Sequence, residues 1–197
     1  MKLLHIDSSI LGDNSVSRAL TAQLVARLRT EDPKAELHYR DLAARPLSHL
    51  TGGHLAGQAS ADEQADGAAA LEEFEAADTV VIGAPMYNFS IPSQLKSWID
   101  RITVAGRTFR YSANGAEGLA GGKTVYIVSS RGSRFDESSG LAALDHQESY
   151  LRTIFGFLGI TDIRFVRAEG LAIDADARAE AISAAEQQIA APRLLVA

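Results

Sequence analysis

Residues 79–92 read Thr-Val-Val-Ile-Gly-Ala-Pro-Met-Tyr-Asn-Phe-Ser-Ile-Pro, and this stretch indicates the fold. Residues 79–84 are an apolar, β-branched run that ends at Pro85, which is typical of a strand buried on both faces. Pro92 suits the first turn of a helix over residues 92–103, where large apolar residues recur at helical spacing. A buried strand, a loop and an amphipathic helix in this order form one unit of an α/β sheet.

The same alternation continues towards both ends of the chain. Further apolar runs predict strands over residues 2–7, 123–129 and 162–166, and alternation predicts one over residues 36–40. Helical patterns separate these runs, over residues 17–29, 65–77, 145–158 and 174–190. Each connection is long enough for a crossover between parallel strands. We therefore predict an α/β fold: one domain over residues 1–197, with a doubly wound, five-stranded parallel sheet and helices on both faces in three layers.

Two stretches, residues 43–62 and 106–122, fit this alternation poorly. The second contains Thr108-Phe109-Arg110-Tyr111 among several glycines, and we expect it to form a hairpin over the carboxyl edge of the sheet. Long excursions of this kind often carry function.

The composition limits the functions that the chain can have. Its 197 residues are 46% hydrophobic and 22% charged, which is normal for a globular protein with a full core. The absence of cysteine excludes thiolate catalysis, disulfides and iron–sulfur clusters. A net charge of −6 argues against sequence-independent nucleic-acid binding. The five histidines show no metal-ligand spacing, so we expect no metal site.

The first residues show no targeting signal and no membrane-spanning segment. Asp7 follows after only a few apolar residues, so the run is too short for a signal peptide or a membrane span. We therefore expect a cytoplasmic protein with no membrane and no nucleic-acid partner.

The loop between the first strand and the first helix, residues 8–17, suits an anion. Hydroxyls at Ser9, Ser15 and Ser17 bracket a turn that leads into a helix N-terminus, where free N–H groups and the helix dipole attract negative charge. The loop has neither the P-loop pattern nor the dinucleotide fingerprint. A plain serine cap is the alternative interpretation.

The loops after the third and fourth strands should share the same sheet edge, where open parallel sheets bind ligands. Met86, Tyr87 and Phe89 are costly in an exposed loop unless they cover something apolar and flat. Asn88 offers a donor and an acceptor to the polar edges of such a ligand. Here the alternative is a core-capping turn between two prolines. Gly132, in residues 129–133, permits close backbone approach but is a weak signal alone.

The sequence thus predicts a phosphate site and a slot for a flat heteroaromatic ring on one edge of the sheet. FMN has both of these parts. The chain resembles the FMN-dependent NADH-azoreductases and quinone reductases, the azoreductase type 1 family of the flavodoxin-like superfamily. The resemblance rests on collinear motifs over nearly the whole chain: Asp7-Ser8-Ser9-Ile10-Leu11, Ser15-Val16-Ser17, Ala84-Pro85-Met86-Tyr87-Asn88-Phe89, Gln94-Leu95-Lys96, Thr108-Phe109-Arg110-Tyr111, Glu117-Gly118-Leu119, Ser129-Ser130-Arg131-Gly132 and Phe155-Gly156-Phe157-Leu158-Gly159-Ile160.

The resemblance implies a flavodoxin-like homodimer with one non-covalent FMN per subunit. Matching positions that would hold the phosphate are Ser9, Ser15, Val16 and Ser17. Those that would line or edge the ring are Pro85, Met86, Tyr87, Asn88, Phe89, Ser130, Arg131, Gly132 and Ser133. We expect Tyr111 and Phe155 to complete the substrate pocket, one of them from the second subunit. No side chain is a firm catalytic residue, although Asn88 could stabilise charge on reduced flavin.

The expected activity is reduction of quinones and aromatic azo compounds by NADH or NADPH in a two-electron ping-pong cycle, with both substrates using one pocket. Ser133 stands where many relatives have a second glycine, and Arg134-Phe135 also depart from the pattern, which puts the substrate range in doubt. The main alternative is a flavodoxin-like electron carrier that acts on a protein partner. A doubly wound hydrolase lacks support, because the chain has no Gly-x-Ser-x-Gly elbow.

Overall fold

A parallel sheet forms the centre of the molecule in a computed structural model, which describes residues 1–113 and 115–191. The strands are β1 (Lys2–Asp7), β2 (Glu36–Asp41), β3 (Thr79–Pro85), β4 (Phe109–Ser112), β5 (Gly115–Gly118), β6 (Thr124–Arg131) and β7 (Asp162–Glu169). The five-stranded sheet has the order β2-β1-β3-β6-β7, and all its pairs are parallel. The order reverses between β1 and β3, which is where sheets of this kind bind ligands.

Helices cover both faces of this sheet, and each face has its own core. The helices are α1 (Val16–Glu31), α2 (Gly52–Leu55), α3 (Ala61–Ala76), α4 (Ser93–Ile102), α5 (His146–Phe157) and α6 (Ala175–Ala190). Leu4 and Ile6 of β1 point into the core formed with α3, α4 and α5, whereas Leu3 points into the core formed with α1 and α6. The inner strands β1, β3 and β6 are buried on both sides for this reason, whereas the edge strand β2 is mostly exposed, and the predicted fold class is confirmed.

The predicted elements are present, and their ends shift for identifiable reasons. Helix α3 begins at Ala61 because Ser60 and Glu63 form a capping box: the Ser60 hydroxyl accepts the Glu63 N–H, and the Glu63 carboxylate accepts the Ser60 N–H. Strands β6 and β7 extend to Arg131 and Glu169, beyond their apolar runs, because these polar residues still pair in register. Hydrophobicity alone therefore underestimated both strands at the functional edge.

Strands β4 and β5 form the predicted hairpin, but the hairpin does not lie over the carboxyl edge of the sheet. Helix α5 begins at that edge, so its last turn lies at the opposite, amino edge. The hairpin is joined to this last turn: the Ala120 N–H donates to the Leu158 carbonyl at 2.9 Å. A Cβ on Gly118 would overlap the backbone of Gly159, so two glycines make the close approach possible. The expected location was wrong because one loop's sequence does not determine which edge it covers.

The other poorly fitting stretch, residues 43–62, contains the short helix α2. Its N-terminus is capped by Thr51, which pairs with the His54 side chain. Across residues 1–113 and 115–191, none of the helices is long and apolar enough to cross a membrane.

Candidate functional site

A cavity of about 230 Å³ opens at the carboxyl edge of the sheet, where the loops after β1, β3, β6 and β7 meet. Many of the predicted cofactor-binding residues line it: Ser9, Ser15, Val16, Pro85, Met86, Tyr87, Ser130, Arg131 and Gly132. The sequence interpretation missed Leu11, Asn14, Leu171, Ala172 and Arg178. The last three follow β7, whose carboxyl end lies at the same edge as the others. The strand pattern alone therefore contained the signal that this fourth loop belongs to the site.

The N-terminus of α1 forms one end of this cavity. The Ser15 hydroxyl caps the helix by accepting the Arg18 N–H at 3.3 Å, and it lies 3.1 Å from the Ser17 hydroxyl. Ser17 is fully buried, so its hydroxyl acts through Ser15 and does not itself line the cavity. The Val16 amide precedes the first intrahelical hydrogen bond of the α-helix, and Val16 lines the cavity, so this amide can donate to an anion there. The serine cap, one of the two alternatives for this loop, is therefore present, and binding of an anion at the same helix N-terminus stays a prediction.

Arg18 fixes the shape of the loop that precedes this helix. Its guanidinium donates twice to the Ser9 carbonyl, at 2.9 and 3.2 Å, and forms a bidentate pair with Asp41 at 2.7 Å for both contacts. The hydrogen bond from Arg18 lowers the pKa of Asp41 to about 2, and the same pair raises the pKa of Arg18. The charge of Arg18 is therefore engaged within the protein, and its role at the site is to hold the Ser9 backbone.

Tyr87 joins the first loop to the loop after β3. Its hydroxyl lies 3.3 Å from the Ser9 hydroxyl and accepts the Ile10 N–H at 3.2 Å. The two loops therefore form one continuous wall of the cavity.

The loop after β3 is a tight turn with an unusual backbone. Tyr87 and Ser90 exchange backbone hydrogen bonds at 3.0 and 3.1 Å, while Asn88 and Phe89 between them have φ angles of 49° and 68°. A left-handed conformation costs an ordinary L-residue roughly 1–2 kcal/mol. The His146 N–H, at the start of α5, donates to the Phe89 carbonyl at 3.1 Å and helps to hold the turn. Strain of this kind at a cavity rim is typical of functional loops.

A second cavity, of about 760 Å³, lies on the other side of this turn. Met86 and Tyr87 line both cavities, whereas Asn88 lines only the second, together with residues of α4 and Tyr150 of α5. Burial raises the pKa of Tyr150 to about 12, so its hydroxyl stays protonated at neutral pH and can donate a hydrogen bond. The Met86–Tyr87 segment therefore separates the two cavities. The first, of about 230 Å³, is called the narrow cavity below, and the second, of about 760 Å³, the wide cavity.

Arg131 contacts the narrow cavity, but its side chain is buried in an ion-pair network. The guanidinium lies 2.9 Å from Asp145 and Glu169 and 3.0 Å from Glu148. This network joins β6 to β7 and to the start of α5. Arg131 can therefore contact a ligand in the cavity only through its backbone.

Phe89 and Ser133, also predicted to contact the cofactor, lie outside the lining of both cavities. Phe89 is half exposed, and its ring packs edge-on against Phe135 at 6.3 Å between centroids. The Ser133 carbonyl accepts the Gly170 N–H at 3.2 Å, which ties the loops after β6 and β7 together. Phe135 thus stands beside the strained turn at the rim.

The two residues predicted to complete the substrate pocket lie elsewhere in this chain. Phe155 is fully buried in the core that α5 forms with the sheet, so it has no surface to offer a substrate, and its prediction needs correction. Tyr111 is 76% exposed on the hairpin at the amino edge, where it packs on Phe109 at 5.5 Å. Neither side chain reaches the cavities at the carboxyl edge of its own chain.

Comparison with known proteins agrees with this architecture. Residues 1–191 match a family model described as the flavodoxin-like fold. An FMN-dependent NADH:quinone oxidoreductase of Methylocella silvestris is 57% identical, covering 96% of this chain and 97% of the relative. One from Azospirillum brasilense is 54% identical over the full length of both chains.

Solved structures agree as well. A Bacillus anthracis azoreductase superposes with a TM-score of 0.84 at 28% identity, covering 96% of this chain and 97% of its own. An FMN-dependent NADH-azoreductase from the same species, in complex with FMN, superposes with a TM-score of 0.83 at 25% identity and the same coverage. The chain therefore belongs to the flavodoxin-like fold family, among relatives named FMN-dependent NADH:quinone oxidoreductases.

Proposed function

We propose that this protein is an FMN-dependent oxidoreductase that uses NADH to reduce quinones and aromatic azo compounds. The observation that carries the proposal is the narrow cavity, where a free helix N-terminus and an apolar loop meet at the switch point of the sheet. Relatives of 54–57% identity are named for this quinone reaction, and the azoreductase structures support the azo substrates.

The residues of the narrow cavity fit FMN. The Val16 amide and the Ser9 and Ser15 hydroxyls are donors that suit a phosphate. None of the described residues that line this cavity is an aspartate or a glutamate, so no carboxylate there opposes the phosphate charge. Pro85 and its neighbours Met86 and Tyr87 supply an apolar wall for a flat ring system.

Bound FMN would supply the redox chemistry, taking two electrons from NADH and passing them to the acceptor. The chain's own contribution is binding, orientation and electrostatics. The wide cavity is large enough for a flat aromatic substrate beside the Met86–Tyr87 wall, and one such cavity suits both substrates in turn. The Asn88 amide and the Tyr150 hydroxyl line it as hydrogen-bond donors.

A homodimer is part of the proposal. Tyr111 is a large side chain with little cover in its own chain, and a second subunit would cover it. We propose that Tyr111 of one subunit completes the wide cavity of the other, whose rim presents the exposed Ile10. We also propose a cytoplasmic location, because a reductase that consumes NADH needs the pool in which this nucleotide is regenerated.

The test is steady-state oxidation of NADH by the purified protein with a quinone and, separately, with an aromatic azo dye. We expect turnover with each acceptor and with no added protein. An electron carrier would bind FMN but would turn over only when a partner protein is added, so that result would favour the alternative function.

A further inference from the structure

Arg178, in the first turns of α6, is a cation of the narrow cavity without a partner. Its side chain is exposed and lines the cavity together with Ser15 and Val16 of α1. Over residues 1–113 and 115–191, it has no ion pair and no side-chain hydrogen bond. It also lines a groove of about 290 Å³ between α1 and α6, so its long side chain has room on both sides of the α1 N-terminus.

Two other arginines near the site are engaged elsewhere. Arg131, which also lines the cavity, is held by three carboxylates, and Arg18 is paired with Asp41 behind the first loop. A phosphate monoester carries a charge of about −1.5 to −2 at neutral pH, and a helix N-terminus supplies only about half a positive charge. The cavity described so far therefore leaves most of this charge without a counterion.

The acidic residues around Arg178 do not neutralise it. Asp174 caps α6 by accepting the Ala177 N–H at 2.7 Å, and Glu186 accepts the Gln23 side-chain amide at 2.9 Å. Asp13 also lines the groove, and over residues 1–113 and 115–191 it forms no ion pair with Arg178. An exposed arginine that stays unpaired among three carboxylates remains free for an anionic ligand.

We infer that Arg178 is the counterion of the FMN phosphate and gives the site its preference for FMN over flavin without phosphate. This inference rests on the proposed function. It assigns to the loop after β7 and the start of α6 a direct part in cofactor binding, by a charge-assisted hydrogen bond from the guanidinium to a phosphate oxygen.

The test compares FMN with riboflavin, which has the same ring but no phosphate, on the full chain freed of flavin. Quenching of flavin fluorescence gives both dissociation constants. We expect Arg178→Gln to weaken FMN binding by about tenfold while riboflavin binding stays within about twofold of the wild type. Arg178→Lys should restore most of the FMN affinity, and Arg178→Gln should flatten the dependence of FMN affinity on salt.

Arg29→Gln is the matched control, since Arg29 is exposed in the last turn of α1, at the other end of that helix. It removes the same charge and should leave FMN affinity unchanged. Equal weakening of FMN and riboflavin by Arg178→Gln would indicate a structural role and overturn the inference, as would unchanged FMN affinity. A wild-type protein that binds neither flavin would instead overturn the proposed function itself.

Discussion

Asn88 occupies a left-handed backbone position and lines the wide cavity. Asparagine tolerates this conformation better than most residues, glycine adopts it freely, and alanine does not. We therefore expect two separable roles for this residue, one in the turn and one in the ligand site. Substitution by glycine removes the second role alone, whereas substitution by alanine removes both.

Asn88→Gly should keep the free energy of unfolding within about 0.5 kcal/mol of the wild type, and Asn88→Ala should lower it by about 1 kcal/mol. If the amide orients substrates or stabilises charge, both variants should lose about tenfold in kcat/KM for quinone reduction. Denaturant unfolding and steady-state kinetics measure the two effects. A fully active Asn88→Gly enzyme would leave Asn88 with a role in the turn only.

At the scale of elements, α1 and α3 begin with equivalent serine caps in different surroundings. Ser15 and Ser60 each accept a backbone N–H at 3.3 Å, but only Ser15 lines the narrow cavity. Ser15→Ala and Ser60→Ala should each lower the free energy of unfolding by about 1 kcal/mol. Ser15→Ala, alone or with Ser17→Ala, should also weaken FMN binding severalfold, while Ser60→Ala should not. Calorimetry and flavin titration would measure the two effects, and equal FMN affinities in both variants would exclude the Ser15 hydroxyl as a ligand.

The link between α1 and β2 predicts a pH dependence of stability. The pKa of Asp41 falls from 3.8 to about 2 on folding, through its hydrogen bond to Arg18. A depressed folded pKa means that this contribution, about 2 kcal/mol, is complete above pH 4 and is lost as the pH falls towards 2. Asp41→Asn should therefore destabilise the protein at pH 7 and have a smaller effect near pH 2. Asp32→Asn, which breaks an exposed pair with the N-terminal amine, should have a weaker effect at pH 7. An equal loss at pH 7 and near pH 2 would contradict this account of Asp41.

The elements also indicate what a sequence can predict. Apolar runs located β1 and β3 closely, because a strand buried on both faces must be apolar throughout. The capping box at Ser60 and the polar ends of β6 and β7 carry no hydrophobic signal. The position of the β4–β5 hairpin depends on a contact between Gly118 and Gly159, 41 residues apart in the chain, which no local pattern reveals.

At the scale of the molecule, the site is assembled from four loops that are far apart in the chain. The three loops with unusual composition were predicted from sequence, because serines or large exposed apolar residues directly after a strand indicate a binding site. Arg178 was not, since an isolated arginine on a helix is ordinary until the fold brings it beside Ser15. Phe155 was wrongly assigned to the substrate pocket, because the sequence pattern around an aromatic residue does not distinguish a core position from a pocket position.

The proposed homodimer is a property of the whole molecule that can be tested. Light scattering at micromolar concentration should give twice the mass of one 21.0 kDa chain. Tyr111→Ala should raise KM for quinones and azo dyes with little change in the free energy of unfolding, because Tyr111 is mostly exposed in its own chain. Leu55→Ala, at another exposed apolar residue, is the control and should change neither. A fully active monomer would refute a shared site, and normal kinetics in Tyr111→Ala would remove that residue from it.

The central claim is that the narrow cavity at the carboxyl edge of the sheet binds FMN. The most direct test is the visible absorption spectrum of the purified full-length protein, followed by identification of the flavin that acid or heat releases. The account predicts a yellow protein that releases FMN, with one FMN per chain after reconstitution. A colourless protein that takes up no added FMN, or one that releases only FAD, would contradict it.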